Sequence, residues 1–378
     1  MKTSLDSLLD GYLNVRRGAI ALALGATVSL GGILGAFAAD GTFDDGGQVK
    51  GGGYEDHEYA ASPYEITYDD TVYIYGTGTD GKGSYVTYDG SEWGDYYAWE
   101  DQEAVYAWDP AAVVYNDANY VFYGSEDGGI YHNGYDGSEW SGWENLAGDY
   151  KFAAAPYTYV YEDTLYLYAV ADDSYLYQKT YDGSEWSDWA PVNDDYEAAW
   201  YQPYAVEWGG YNNVFWTGKD GKVYWNRYNE DGWTGAKDLP YEADVYEYAD
   251  SPYAIGYSED DTIYAYAITT DGAPNWNTFD GESWSGWKAY EAEVPAKAKG
   301  QPHAYEYDGV QHLIVSAEDG HAYYTTYDGS YGEWADLGDN YAYDPYTYEY
   351  DDAYYLTYTG ENGYLYYKEY AGEEDSGY

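Results

Sequence analysis

The sequence predicts an all-β fold, a seven-bladed β-propeller of four-stranded antiparallel blades, because three markers recur seven times in one phase. A proline opens each unit: Pro63, Pro110, Pro156, Pro203, Pro252, Pro302 and Pro345. A tight-turn pair follows in each, at Asp80-Gly81, Asp127-Gly128, Asp172-Asp173, Asp220-Gly221, Asp271-Gly272, Asp319-Gly320 and Asn362-Gly363. The third marker is Tyr88-Asp89-Gly90-Ser91-Glu92-Trp93, which returns at Tyr135 to Trp140 and Tyr181 to Trp186. It recurs more loosely at Tyr228 to Trp233, Phe279 to Trp284, Tyr327 to Tyr331 and Tyr370 to Gly372.

Taken from the N-terminus, residues 1–39 read as a signal peptide or a membrane anchor. Met1 to Asn14 is a polar leader, Arg16-Arg17 is a basic pair, and Gly18 to Ala39 is uncharged and rich in Gly, Ala and Leu. The leader resembles a twin-arginine signal, and Ala36-Phe37-Ala38 suits a signal peptidase. Residues 18–39 are also long enough to span a bilayer, which takes about 20 apolar residues. Either reading expects a secreted or cell-surface protein. Residues 40–61 form a Gly-rich linker that could close the ring, and residues 62–378 form the propeller.

Within each unit an earlier polar turn separates proline from the tight-turn pair, as in Tyr68-Asp69-Asp70-Thr71 and Tyr161-Glu162-Asp163-Thr164. Three turns divide a unit into four strands, the content of one blade. Asp-Gly and Asn-Gly supply the positive φ that two-residue hairpins require. Thr71-Val72-Tyr73-Ile74-Tyr75, Thr164-Leu165-Tyr166-Leu167-Tyr168 and Thr262-Ile263-Tyr264-Ala265-Tyr266 are apolar or aromatic throughout, as central strands covered on both faces are. The seventh unit runs out before its fourth strand. Its edge needs a cover, which residues Phe43 to Tyr59 are placed to provide.

Composition narrows the partners. The chain has 70 acidic and 15 basic residues, a net charge of −55, and no cysteine. Such a surface repels phosphate backbones and anionic lipid headgroups, so nucleic acid is excluded as a partner. Disulfides, thiolate metal sites and cysteine-linked lipid anchors are excluded as well. The acidity suits high salt, where carboxylate repulsion is screened within about 3 Å at 1 M. Aromatic residues make up 21% of the chain, with 59 tyrosines against 6 phenylalanines. Rings that stack on sugar C–H faces, beside carboxylates that accept from hydroxyls, suit carbohydrate.

The segments Trp140-Ser141-Gly142-Trp143-Glu144-Asn145-Leu146-Ala147-Gly148, Trp186-Ser187-Asp188-Trp189 and Trp284-Ser285-Gly286-Trp287 each follow an Asp-Gly or Asp-Gly-like turn. They resemble the repeat of PLL-type seven-bladed fucose-binding lectins, over Pro63 to the C-terminus. That resemblance implies a lectin without catalytic activity, with sugars held between adjacent blades and glycans of cell surfaces as partners. The repeat departs from the family where Tyr96, Ala236 and Tyr331 stand at tryptophan positions.

In an extended strand an odd offset changes sides, so the first Trp of each pair is expected to pack inward. The second, Trp143, Trp189, Trp287 and Trp334, is expected to be the sugar platform. A structural or adhesive surface protein is the other reading. A glycosidase fits less well: the tyrosine turn is not a sialidase Asp-box, and Arg227 is the sole arginine after the leader. The five histidines form no metal motif and no EF-hand-like loop occurs, so no cofactor is expected.

Overall fold

The computed structural model describes residues 42–43, 46–49 and 57–371, except 101, 103, 194, 196, 200, 241–246 and 352. The proposed signal or anchor, residues 1–39, lies outside the described residues. These form seven antiparallel sheets, one per proline-led unit. The innermost strands are Tyr64–Tyr68, Ala111–Tyr115, Tyr157–Tyr161, Tyr204–Trp208, Tyr253–Tyr257, Ala298–Tyr307 and Tyr346–Tyr350. Each lies beside the next, and Tyr346–Tyr350 returns to Tyr64–Tyr68, so the ring is closed.

The second strands, among them Thr71–Thr77, Ala118–Gly124 and Thr262–Ile268, are the most buried, and every residue of the last is covered. They are also the most apolar, as strands packed between two neighbouring sheets must be. The third strands are Gly83–Tyr88, Ile130–Tyr135, Leu176–Tyr181, Val223–Asn229, Pro274–Phe279, Ala322–Tyr327 and Leu365–Ala371. The outer strands shrink to two residues, such as Glu144–Asn145 and Lys288–Ala289. Gly142 and Gly286, with φ of 92° and 89°, break the pairing between the tyrosine hairpin and the outer strand.

Turn chemistry follows the sequence closely. The first hairpins place Asp69-Asp70, Asn116-Asp117, Glu162-Asp163 and Gly209-Gly210 at positive φ in succession, the type I′ geometry. In the tyrosine turn, the Asp89 carboxylate accepts from the backbone N–H of Ser91 and Glu92, and Asp136 and Asp182 repeat this. The Ser138 hydroxyl together with these N–H groups holds the Asp136 carboxyl down to about 2, and the N–H of Glu185 with the Ser184 hydroxyl does the same for Asp182. One turn is displaced. In the third unit the residue at positive φ is Ser174 (69°), so the matching pair is Asp173-Ser174 and not Asp172-Asp173. With no glycine there, the neighbouring aspartates gave no cue to the phase.

The seventh blade is completed by the N-terminal segment. Phe43 pairs with Tyr370 and Gly47 with Tyr367, the pairings that Trp140 and Glu144 make with Tyr135 and His132 in the second blade. The Phe43 ring meets Tyr370 at 5.3 Å, as Trp140 meets Tyr135 at 5.2 Å. Thus the closing strand substitutes for the missing marker position by position.

The core divides into clusters at the blade boundaries, with residues of two adjacent blades in each. Here the tyrosine excess finds its use. The last tyrosine of an inner strand donates its hydroxyl to a carbonyl in the first hairpin of the next blade. Tyr68 reaches Asp117 (2.8 Å), Tyr115 reaches Asp163 (2.7 Å), Tyr161 reaches Gly210 (2.7 Å), and Tyr350 reaches Asp70 across the closure (2.9 Å). Phenylalanine would fill the same space and leave those carbonyls without the bond.

The same seam buries an acid. Glu65, on the inner strand of the first blade, accepts from the Thr357 hydroxyl of the seventh, and burial pushes its carboxyl up to about 8. The folded chain therefore holds this proton where the unfolded chain, with an ordinary carboxyl near 4.5, has released it. Stability is expected to fall as pH rises from about 4.5 to 8, by on the order of a few kcal/mol, and to level off above that. Glu65→Gln should flatten this part of the curve in chemical denaturation across pH. A curve unchanged by the substitution would show that Glu65 is not the group responsible.

Candidate functional site

The tryptophan pairs of the second, third and fifth blades, and Trp334 of the sixth, sit at a boundary with the preceding blade, and the two members of a pair divide differently from the sequence expectation. Trp287 is 2% exposed and Trp189 is 8% exposed. Trp189 lies against Phe152, with centroids 4.4 Å apart, and donates Nε1–H to the carbonyl of Leu146 in the blade before it (2.8 Å). Trp334 donates in the same manner to Ala292 (3.0 Å). Trp143 and Trp334 are half-buried, with Trp143 edge-on to Trp99 at 5.0 Å. The second Trp thus fills the gap between the outer parts of two blades. Gly142 and Gly286, directly before Trp143 and Trp287, turn the chain at positive φ, so simple strand alternation does not fix the side of the ring.

In the third and fifth blades the first Trp is the more accessible one. Trp186 is half-buried and stacks on Tyr181 at 5.0 Å and 28°. Its edge meets His132 (5.5 Å) and Phe122 (6.0 Å) of the second blade. Around this contact lies a cavity of about 780 Å³ between the second and third blades. That volume falls in the range of about 300–1,000 Å³ typical of small-molecule sites. Tyr181 and Trp186 form the wall from the third blade, and His132 and Glu144 form the opposing wall from the second.

His132 sits on a third strand and Glu144 directly opposite it on the outer strand, so the ladder itself pairs them. Nε2 lies 3.1 Å from the Glu144 carboxylate. Burial lowers the His132 pKa, with Glu144 opposing it. The ring is therefore neutral near pH 7: Nε2–H donates to Glu144, which leaves Nδ1 as a bare acceptor, buried and without a partner in the protein. Lys179 lines the same space. Its Nζ lies 5.7 Å from the Trp189 ring centroid, and burial lowers its pKa against the pull of Asp188 and Glu144.

Sequence reasoning missed His132, Glu144, Lys179 and Trp186 as a group, although a signal existed. The strand registers place Tyr85, His132, Gln178, Trp225, Trp276, Tyr324 and Tyr367 at one equivalent position. Five of these are large aromatics, and they meet an aromatic of the following blade. Tyr85 meets Trp140 at 5.6 Å, Trp225 meets Trp284 at 5.4 Å, Trp276 meets Tyr331 at 5.3 Å, and Tyr367 meets Trp93 at 5.3 Å. His132 is smaller and polar. Where it replaces the ring, the boundary has room.

Among the described residues, no group of three or more histidine, aspartate or glutamate side chains is placed to hold a metal ion. Likewise, no helix among them is long and apolar enough to cross a membrane.

No protein-family model matches the chain, and no curated protein matches it. Solved structures do. The BP39L lectin of Burkholderia pseudomallei superposes with a TM-score of 0.61 at 14% identity, over 71% of this chain and 81% of that one. The fold is shared with a bacterial lectin. A mutant of AofleA from Arthrobotrys oligospora follows at a TM-score of 0.50 and 15% identity, over 71% of this chain and 84% of that one. The Aleuria aurantia lectin, a six-bladed propeller with a novel fucose recognition mode, scores 0.48 at 13% identity, over 75% of this chain and 98% of that one, and nothing is transferred from it.

Proposed function

We propose that this chain is an exported, non-catalytic carbohydrate-binding protein, and that its site is the cavity between the second and third blades. The observation that carries this reading is the composition of that cavity. It places the exposed face of a Tyr181–Trp186 stack opposite a His132–Glu144 pair, in a space of about 780 Å³. An aromatic face stacks on the C–H side of a pyranose, while the carboxylates accept from hydroxyls. The propeller shared with a lectin supports binding in place of catalysis. The leader of residues 1–39 supports export, with retention at the cell surface if residues 18–39 stay in the membrane. Trp143 and Trp334 keep partial exposure and could add ring faces at their own boundaries. Trp189 and Trp287, covered by the protein, contribute by shaping the boundary.

The test is a glycan array with the full chain in molar and in low salt, followed by calorimetry on any hit. Trp186→Ala is expected to weaken binding by roughly 30-fold or more, the loss of about 2 kcal/mol usual when a hot-spot aromatic is truncated. Circular dichroism should show the fold retained. If no glycan binds under either condition, a scaffold or adhesive role replaces this reading.

A further inference from the structure

We infer that the cavity between the second and third blades selects saccharides bearing a free, protonated amino group, an inference that rests on the carbohydrate-binding proposal. The position opposite the His132 site on the outer strand carries the argument. It holds Tyr97, Glu144, Ala190, Lys237, Lys288, Ala335 and Gly47 in the seven blades. Glu144 is the single acid among them. In the fifth blade the protein supplies its own cation, since the Lys288 ammonium lies 4.5 Å from the centroid of Trp276. In the second blade the equivalent residue carries the opposite charge, and Lys179, which lines the same cavity, has its ammonium over Trp189, 5.7 Å from the centroid. A ligand ammonium completes that arrangement, with Glu144 as counter-ion and the Trp186 face as a cation–π surface.

The other groups in the cavity agree. Glu139 and Glu185, from the tyrosine turns of the two blades, line it together with Glu144, against Lys179 as the one lysine. The Lys179 ammonium lies over the ring of Trp189, and the pull of Asp188 on it exceeds that of Glu144. The His132 side chain is 9% exposed and neutral, with Nε2–H donated to Glu144, so it adds no positive charge to the cavity. A site with acceptors, a net negative charge and an aromatic face disfavours uronates and sialic acids. It gains nothing from acetylating the amine, because acetylation removes the charge.

The experiment compares a glucosamine tetrasaccharide, its fully N-acetylated counterpart and a glucuronate-containing oligosaccharide by calorimetry on the full chain at pH 6. The free amine is expected to bind about tenfold more tightly than the acetylated form, and the uronate not at all. Glu144→Gln keeps an acceptor for His132 and should bring the two glucosamine forms to within about twofold. Equal or tighter binding of the acetylated form would overturn the amine preference and leave the carbohydrate reading standing. Failure of every saccharide would remove both. Competition by tetralysine at equal strength would show a site for cations in general, which would also overturn the saccharide assignment.

Discussion

Replacing Trp287 by alanine is expected to lower the stability of the chain by about 3–5 kcal/mol, the range for deleting a large aromatic from a core. The indole is 2% exposed, lies 4.7 Å from the ring of Tyr248, and belongs to the core cluster that holds Leu239 and Phe279. Its removal opens a cavity at the boundary of the fourth and fifth blades, which rigid sheets on both sides cannot collapse to fill. Trp186→Ala, at a half-buried position, should lose much less. The midpoints of denaturant unfolding measure both. A loss below about 1 kcal/mol for Trp287→Ala would mean that the second tryptophan is not structural and would restore it as an exposed ring.

Transfer from molar salt to about 10 mM is expected to lower the melting temperature by roughly 10 °C or more, as the Debye length grows from about 3 Å to about 30 Å. The net charge is −55, and the lysine pairs, Lys82 with Glu100, Lys219 with Glu197 and Lys222 with Asp238, neutralise little of it. Scanning calorimetry across the series reads the effect directly. A melting temperature independent of salt would leave the acidity as a device for solubility and remove the adaptation to high salt.

The blade count, the turn positions apart from that of Asp173-Ser174, and the need for a borrowed edge were legible in the chain, because each rests on local chemistry. Asp-Gly pairs favour positive φ through their own backbone, and proline marks the inner strand of each unit whatever it packs on. The equivalence of Phe43 to Trp140 was not legible, since it depends on the register of two segments more than 300 residues apart. The tyrosine excess was legible as a fact and not as a cause. Its hydroxyls reach carbonyls in the neighbouring blade, such as Tyr115 to Asp163, 48 residues on.

By itself, then, the sequence determined a closed ring of seven four-stranded blades, an acidic surface, and aromatic pairs at five of the boundaries. Which member of a pair shows its face to solvent was decided by the tertiary structure alone. Trp186 and Trp189 stand three residues apart in the same turn chemistry, yet one borders the cavity and the other is sealed against Phe152 and Leu146 of the adjoining segments. Exposure at a boundary is set by the volume of a residue on another blade. Here that residue is His132, a smaller side chain than the tyrosines and tryptophans at the equivalent position in five of the blades.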